Sequence, residues 1–583
     1  MVNSQSWAAA LMAASMLTAC GSQTGSDAQQ SAVTVPEPSP AVSELGAPVP
    51  QATRSLTSED EPASARRPAH IQSVDQGAAL QQQYFQLASL TTEGDSEEAV
   101  TDSGGARNEI DVFDFVQARA RRMANEDYVA PPEAPAYIRN LDYNDYRRIG
   151  YRRDSALFDT SVQPFRVMLD SRGSLFQTEI GMNVVTETSL DPINFNPADF
   201  NFHDLEISPA EQSGLGLAGF RLLAPLNQSG RFDEVMSVKG ASFFRALGAG
   251  NHYGTSARGI AVNTASAEGE EFPVFSEFWM EEPGPNDQTF VFYALLDGPS
   301  VTGAYEFHVR PGVQTQIDVS AVVFAREETD QIGLAPLTSM FEFAPQDPQS
   351  PVTDFRPRVH DSEGLSAVMS NGEWVWRPLT NPSTLQISSF ASEVPMGFGL
   401  MQRTRDYNEY QDIEGEYEAR PSVWVTPGEG WRAGQLMLVE IPTPNEYNDN
   451  IISYWRLNDA LMPGQSIAFD YSMSWGMDAP FNSPLANVHA TRVGQAEGNS
   501  GRRLFVVDFE IADLDSMEEL EPVVSASAGE VFNVVATPDR RNGLLRVSFE
   551  LRPPNSGAVE LRALLNHVEE PVSETWLYRW SPA

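Results

Sequence analysis

"FVFYALLDGPSVTGAYEFHVRPGVQTQIDVSAVVFA", residues 290–325, contains three stretches of strand character separated by Gly- and Pro-bearing turns. Tyr305, Phe307 and Val309 alternate with Glu306, His308 and Arg310, and Ile317, Val319 and Ala321 do the same with polar partners. A period of two places one set of side chains on each face of a sheet. The same signature recurs in "FRVMLDS", "FQTEIGMNVVTET" and "QLMLVEIPT". Helical periodicity is nearly absent over most of the chain. So many strands in one unit predict a mainly β protein, with two stacked antiparallel sheets forming a large sandwich.

One helix is expected ahead of the strands. In "VFDFVQARARRMANEDYVAPP" (112–132), Phe113, Val116, Ala120 and Met123 recur at helical spacing, and the proline pair is the expected stop. Beyond a turn-rich stretch at 476–500, five or more short strands in under a hundred residues predict a small immunoglobulin-like sandwich. The predicted organisation is therefore a large β-sandwich over 109–480 and an immunoglobulin-like β-sandwich over 481–583.

The first 108 residues read differently. "WAAALMAASMLTAC" (7–20) is an apolar run of signal-peptide length ending at Cys20, the single cysteine of 583 residues. Residues 1–20 are expected to be a lipoprotein-type signal, with Cys20 as the lipidation site and the bacterial periplasm as destination. Residues 21–108, rich in Ser, Ala, Gln, Pro and acidic residues, are expected to be a disordered tether.

A formal charge of −42 argues against nucleic-acid binding, which needs a basic footprint. Phosphate-binding glycine loops, a GxSxG elbow and HExxH are all missing from the sequence, and the seven histidines are scattered. No metal and no cofactor is expected. What remains is carboxylates and aromatics. Seven of the ten tryptophans fall between Trp279 and Trp475, each near polar residues. Rings flanked by Arg, Asp and Glu suit sugars, although each tryptophan is as readily a core residue. "WVW" (374–376) is expected to split its rings between faces, leaving at least one in the core. Two segments stand out as carboxylate sites: "FRPRVHDSEGLSAV" (355–368), with Asp361, and "IPTPNEYNDNIISYW" (441–455), with Asp449. Glycoside cleavage needs two carboxyls, and only the fold could bring these two together.

Stretches such as "GASFFRALGAGNHYGTSARGIAVNTA", "RPRVHDSEGL", "NGEWVWRPL", "PMGFGLMQRTRDYNEYQD", "YEARPSVWVTP" and "IPTPNEYNDNIISYW" closely resemble the periplasmic glucan biosynthesis proteins G and D (OpgG and OpgD). The resemblance runs from about residue 111 to the C-terminus. It implies a large β-sandwich linked to an immunoglobulin-like domain, acting in the synthesis of osmoregulated glucans with β-1,2-linked backbones. Some family members look like anomer-inverting β-1,2-glucan hydrolases, and others like transglycosylases. Matched residue by residue, the resemblance implies Asp449 as general acid and Asp361 as general base, with Tyr417 positioning a relay. His360 and Glu363 would frame Asp361, and Glu446 would neighbour Asp449. Arg258, Trp279, Glu373, Arg377, Arg403, Arg420, Trp424 and Asn450 are expected to bind substrate. The expected partners are the glucan and other envelope glucan-synthesis proteins, with membrane attachment only through Cys20. A non-catalytic glucan-binding accessory and a purely structural lipoprotein are the competing readings.

Overall fold

The computed structural model describes residues 111–583, apart from Ser161, 348–353, 391–392, Asn482, 499–500, 512–513 and Ala583. The expected signal sequence, Cys20 and the whole of the expected tether lie outside the described residues. The expected helix is present at Val112–Met123, capped by the Asp111 carboxylate, which accepts the Asp114 N–H at 2.9 Å. It ends well ahead of Pro131, with Arg121 and Arg122 in its last turn. Val116 and Ala120 are buried, and the helix lies against strands Phe290–Asp297 and Val301–Arg310.

The protein is mainly β and sandwich-like; among the described residues there are two large sheets of ten and fifteen strands and a smaller one of four. The stretch 290–325 forms consecutive strands of the fifteen-stranded sheet, Phe290–Asp297, Val301–Arg310 and Thr315–Ala325, paired antiparallel. The ten-stranded sheet faces it across an aromatic core. Phe220, on strand Leu217–Gln228, meets Phe278 and Phe292 edge-on, both with ring centroids at 5.3 Å. Phe244 meets Phe307 at 5.5 Å. Edge-to-face rings of this kind add to the area they bury.

Two pairings depart from the antiparallel expectation. Val274–Glu281 runs parallel to Gly181–Val185, and Trp374–Pro378 runs parallel to Thr575–Trp580. Through the second, strands from beyond residue 520 extend the large sheet across the expected 480/481 boundary. The four-stranded sheet packs against these late strands through Phe505, which lies 5.4 Å from Tyr578 and 6.2 Å from Trp576. Trp374 and Trp376 share this second core. Residues two apart on a strand share a face, so the expected division of their rings does not occur.

Candidate functional site

Asp361 follows the short strand Val359–His360, which pairs with Phe341–Phe343. Its N–H donates to the Met340 carbonyl at 2.8 Å. Asp449 lies two residues ahead of strand Ile451–Leu457. Next to it, Asn450 grips the same short strand: its Oδ1 accepts the Phe341 N–H at 2.8 Å, and its Nδ2 donates to Phe341 O and Ile441 O at 3.0 and 2.9 Å. Thus the segments bearing the two aspartates, distant in sequence, are fastened to consecutive residues, Met340 and Phe341.

Each aspartate faces an arginine. Arg420 Nη1 donates to Asp361 Oδ1, and Arg245 Nη2 donates to Asp449 Oδ2 at 3.3 Å. Asp361 is 2% exposed and Asp449 1%. The Arg420 guanidinium also lies 4.0 Å from the centre of the Tyr417 ring and donates to Gly415 O. Tyr417 in turn donates its hydroxyl to Glu446 Oε2 at 2.9 Å. Burial pushes the Tyr417 phenol well above its usual range, so it stays a donor.

The motif "GNHYG" (250–254) supports this group. Asn251 Nδ2 and the His252 N–H both donate to Ala419 O at 3.0 Å, holding the single turn Tyr417–Ala419. A Cβ on Gly254 would stand 2.9 Å from the Arg420 stem, and one on Gly415 would stand 2.6 Å from the Tyr417 ring. Both glycines therefore admit close side chains, a use legible in their motifs only after the fold is known.

His360 is wholly buried, its ring stacked on Phe341 at 5.4 Å and its Nδ1 bonded to Gln402 Oε1 at 2.9 Å. Burial pushes its imidazole down to about 3, so at neutral pH it is an uncharged framing group. Glu363 accepts from Arg358 at 3.2 Å and from Thr404 at 3.0 Å. A cavity of about 760 Å³ is lined by residues that hold His360 and Glu363, such as Gln402 and Arg358, and by neither aspartate.

The structure brings Asp361, Arg420 and Tyr417 together and ties Asp449 and Asn450 to the same hairpin. The other expected binding residues make different contacts. Arg258 pairs with Glu270 at 2.7 Å, beside the stacked Phe243 and Phe272 rings. Trp279 is covered by the N-terminal helix, with Phe115 edge-on at 5.9 Å and Arg119 over its ring. Arg377 is buried against Glu440 at 3.0 Å. Glu373 bonds Arg562 and Thr575, and Arg403 forks onto Glu574 above the Trp376 ring. Trp424 is buried, 4.7 Å from the Phe481 ring.

Sequence reasoning missed three residues. Arg245 sits in "FFRA", where a charge interrupts an apolar run, and that interruption was the available signal. Arg356 donates to Asp412 at 2.9 Å and to Glu446 at 2.6 Å while pairing with Asp354 at 2.9 Å. Glu342, between buried Phe341 and Phe343, has its carboxyl pushed up to about 7 by burial and by Glu446. Glu446, expected beside Asp449, is engaged by Tyr417 and Arg356.

Fold and site define a mainly β, sandwich-like protein with two buried carboxylate–arginine pairs whose aspartate segments are fastened to Met340 and Phe341. More particularly, the chain belongs to the periplasmic glucan biosynthesis protein family, MdoG, whose family model matches residues 112–580. It is 42% identical to glucans biosynthesis protein G of Vibrio cholerae serotype O1 over 471 residues, covering 80% of this chain and 86% of the relative. To the protein of the same name from Shewanella baltica it is 43% identical over 476 residues, with 80% and 87% covered. Among solved structures, a polysaccharide lyase aligns at 10% identity with a TM-score of 0.21 over 63% of this chain and 45% of its own, too slight to bear on fold or function.

Proposed function

We propose that the protein acts in the periplasm on β-1,2-linked glucan, cleaving it with inversion at the anomeric carbon by hydrolysis or by transfer to a sugar hydroxyl. Asp449 gives its proton to the glycosidic oxygen as the bond to the anomeric carbon breaks. On the opposite face, a water or hydroxyl oxygen attacks that carbon while Asp361 takes up its proton. Tyr417 orients the relay to Asp361. Residues 109–480 carry this chemistry, 481–583 form a supporting sandwich, and Cys20 anchors the chain. The observation that supports the reading is the shared seat of the two aspartate segments on Met340 and Phe341.

The acid role imposes a condition. A proton-bearing Asp449 forfeits the charge half of its contact with Arg245, so substrate entry must move that guanidinium. The near-complete closure of both aspartates to solvent is the observation that favours the second reading, a glucan-binding accessory without catalysis.

Product analysis after incubation with linear β-1,2-glucan separates the two. Shortened or rearranged chains from the native protein, lost in both Asp449→Asn and Asp361→Asn, support catalysis. Binding with an unchanged length distribution leaves the accessory reading.

A further inference from the structure

Three surface turns around the candidate site share one construction. Asp354 Oδ1 accepts the Arg356 N–H at 2.8 Å, with Phe355 at the apex. Asp412 Oδ1 accepts the Glu414 N–H at 3.0 Å, with Ile413 at the apex. Asn445 Oδ1 accepts the Tyr447 N–H at 3.1 Å. Each turn is locked by its own side chain. The three are then joined by one guanidinium, since Arg356 bonds Asp354, Asp412 and Glu446.

Each turn also displays a large apolar side chain to water. Phe355 is 76% exposed, Ile413 79% and Tyr447 62%. Single exposed apolar residues need no explanation, but three on turns clasped by one arginine do. The clasp is continuous with the candidate site through Glu446, which receives the Tyr417 hydroxyl, and Tyr417 lies against Arg420 on Asp361.

We propose that Phe355, Ile413 and Tyr447 form a preset apolar platform on which a pyranose unit of the glucan stacks beside the aspartate pair. The inference rests on the reading above and adds a subsite to it. The occupant follows from the surroundings. A pyranose offers an apolar C–H face to aromatic and aliphatic side chains and a ring of hydroxyls to acceptors around them. Asp354, Asp412 and Glu446 supply those acceptors, and their charge is already engaged by Arg356. A neutral sugar meets no repulsion from a chain of net charge −42, whereas an anionic polymer would. Because the turns are locked before substrate arrives, little ordering remains to be done on binding.

The test is calorimetric titration of linear β-1,2-glucan oligosaccharides into the full chain carrying Asp449→Asn, with and without Phe355→Ala plus Tyr447→Ala. Both substituted side chains are exposed, so folding is expected to be unchanged. Binding should weaken about tenfold or more in the double variant, and Phe355→Trp should retain it. Equal affinity with and without the Phe355 and Tyr447 side chains would overturn the platform while leaving the glucan reading intact. An absence of binding even in the parent chain would overturn both.

Discussion

Asp361 and Asn450 are fastened to adjacent residues, the first through the Met340 carbonyl and the second through both backbone polar groups of Phe341. This relationship sets the separation of the two candidate catalytic carboxylates, because Asp449 is held by the residue that follows it. It also makes Asn450 a positioning residue. Asn450→Ala would leave Phe341 N–H, Phe341 O and Ile441 O without that partner in a buried setting. A loss of about 3 kcal/mol is expected from urea unfolding, with turnover reduced further than the fraction folded accounts for. Turnover that tracks only the folded fraction would make Asn450 purely structural.

Tyr417 separates chemistry from stability. Tyr417→Phe removes the hydroxyl bonded to Glu446 and keeps the ring against Arg420. Stability should fall by about 1 kcal/mol, whereas kcat on β-1,2-glucan should fall about a hundredfold if the hydroxyl orients the relay. A fall in proportion to stability alone would take Tyr417 out of the proton path.

Glu342 gives the protein a stability slope on the neutral side. Its ordinary value of 4.5 is pushed up to about 7 by burial and Glu446, against Arg356. The stability contributed by the protonated form is complete below pH 4.5 and is lost as pH rises through about 7. Glu342→Gln should flatten the decline in urea midpoint between pH 5 and 8. An unchanged slope in that variant would assign the decline to other groups.

His360 acts in the opposite direction. Its imidazole, ordinarily near 6.5, is pushed down to about 3 by burial, with Arg358 and Arg420 adding to the effect and Glu363 opposing it. The neutral ring supports the fold fully above pH 6.5, and that support drains as pH falls toward about 3. His360→Asn lowers stability overall through the lost stacking on Phe341, yet its midpoint should vary less between pH 6.5 and 4 than the native midpoint does.

Arg356 tests the clasp. Arg356→Met leaves Asp354, Asp412 and Glu446 facing one another without a cation. KM for the glucan should rise about tenfold or more, with a smaller change in kcat. A large kcat loss at constant KM would place the arginine in the chemistry instead.

The strands of 290–325 and the helix at Val112–Met123 were legible because periodicity is a local property, carried by residues close in the chain. So were the two carboxylate motifs. The arginine facing each one was harder to read: Arg245 and Asp449 meet because strands Phe243–Ala246 and Ile451–Leu457, the second just after Asp449, belong to one sheet. Trp279 shows the reverse failure. Its acidic neighbours suggested a sugar contact, but a helix far ahead in sequence covers the ring. Arg377 likewise looked like a binding group and is neutralised by Glu440. Composition around a residue does not reveal what the fold places over it.

The parallel pairing of Trp374–Pro378 with Thr575–Trp580 has a bearing on biogenesis. Strand Trp374–Pro378 is itself the neighbour of Gly364–Val368, which emerges directly from the Asp361 loop. A chain synthesised from its N-terminus therefore leaves this part of the sheet with a raw edge until strand Thr575–Trp580 arrives. The sheet beside the Asp361 loop is completed only by residues far downstream in the chain, so a product interrupted before residue 575 exposes an adhesive border in place of a finished sheet.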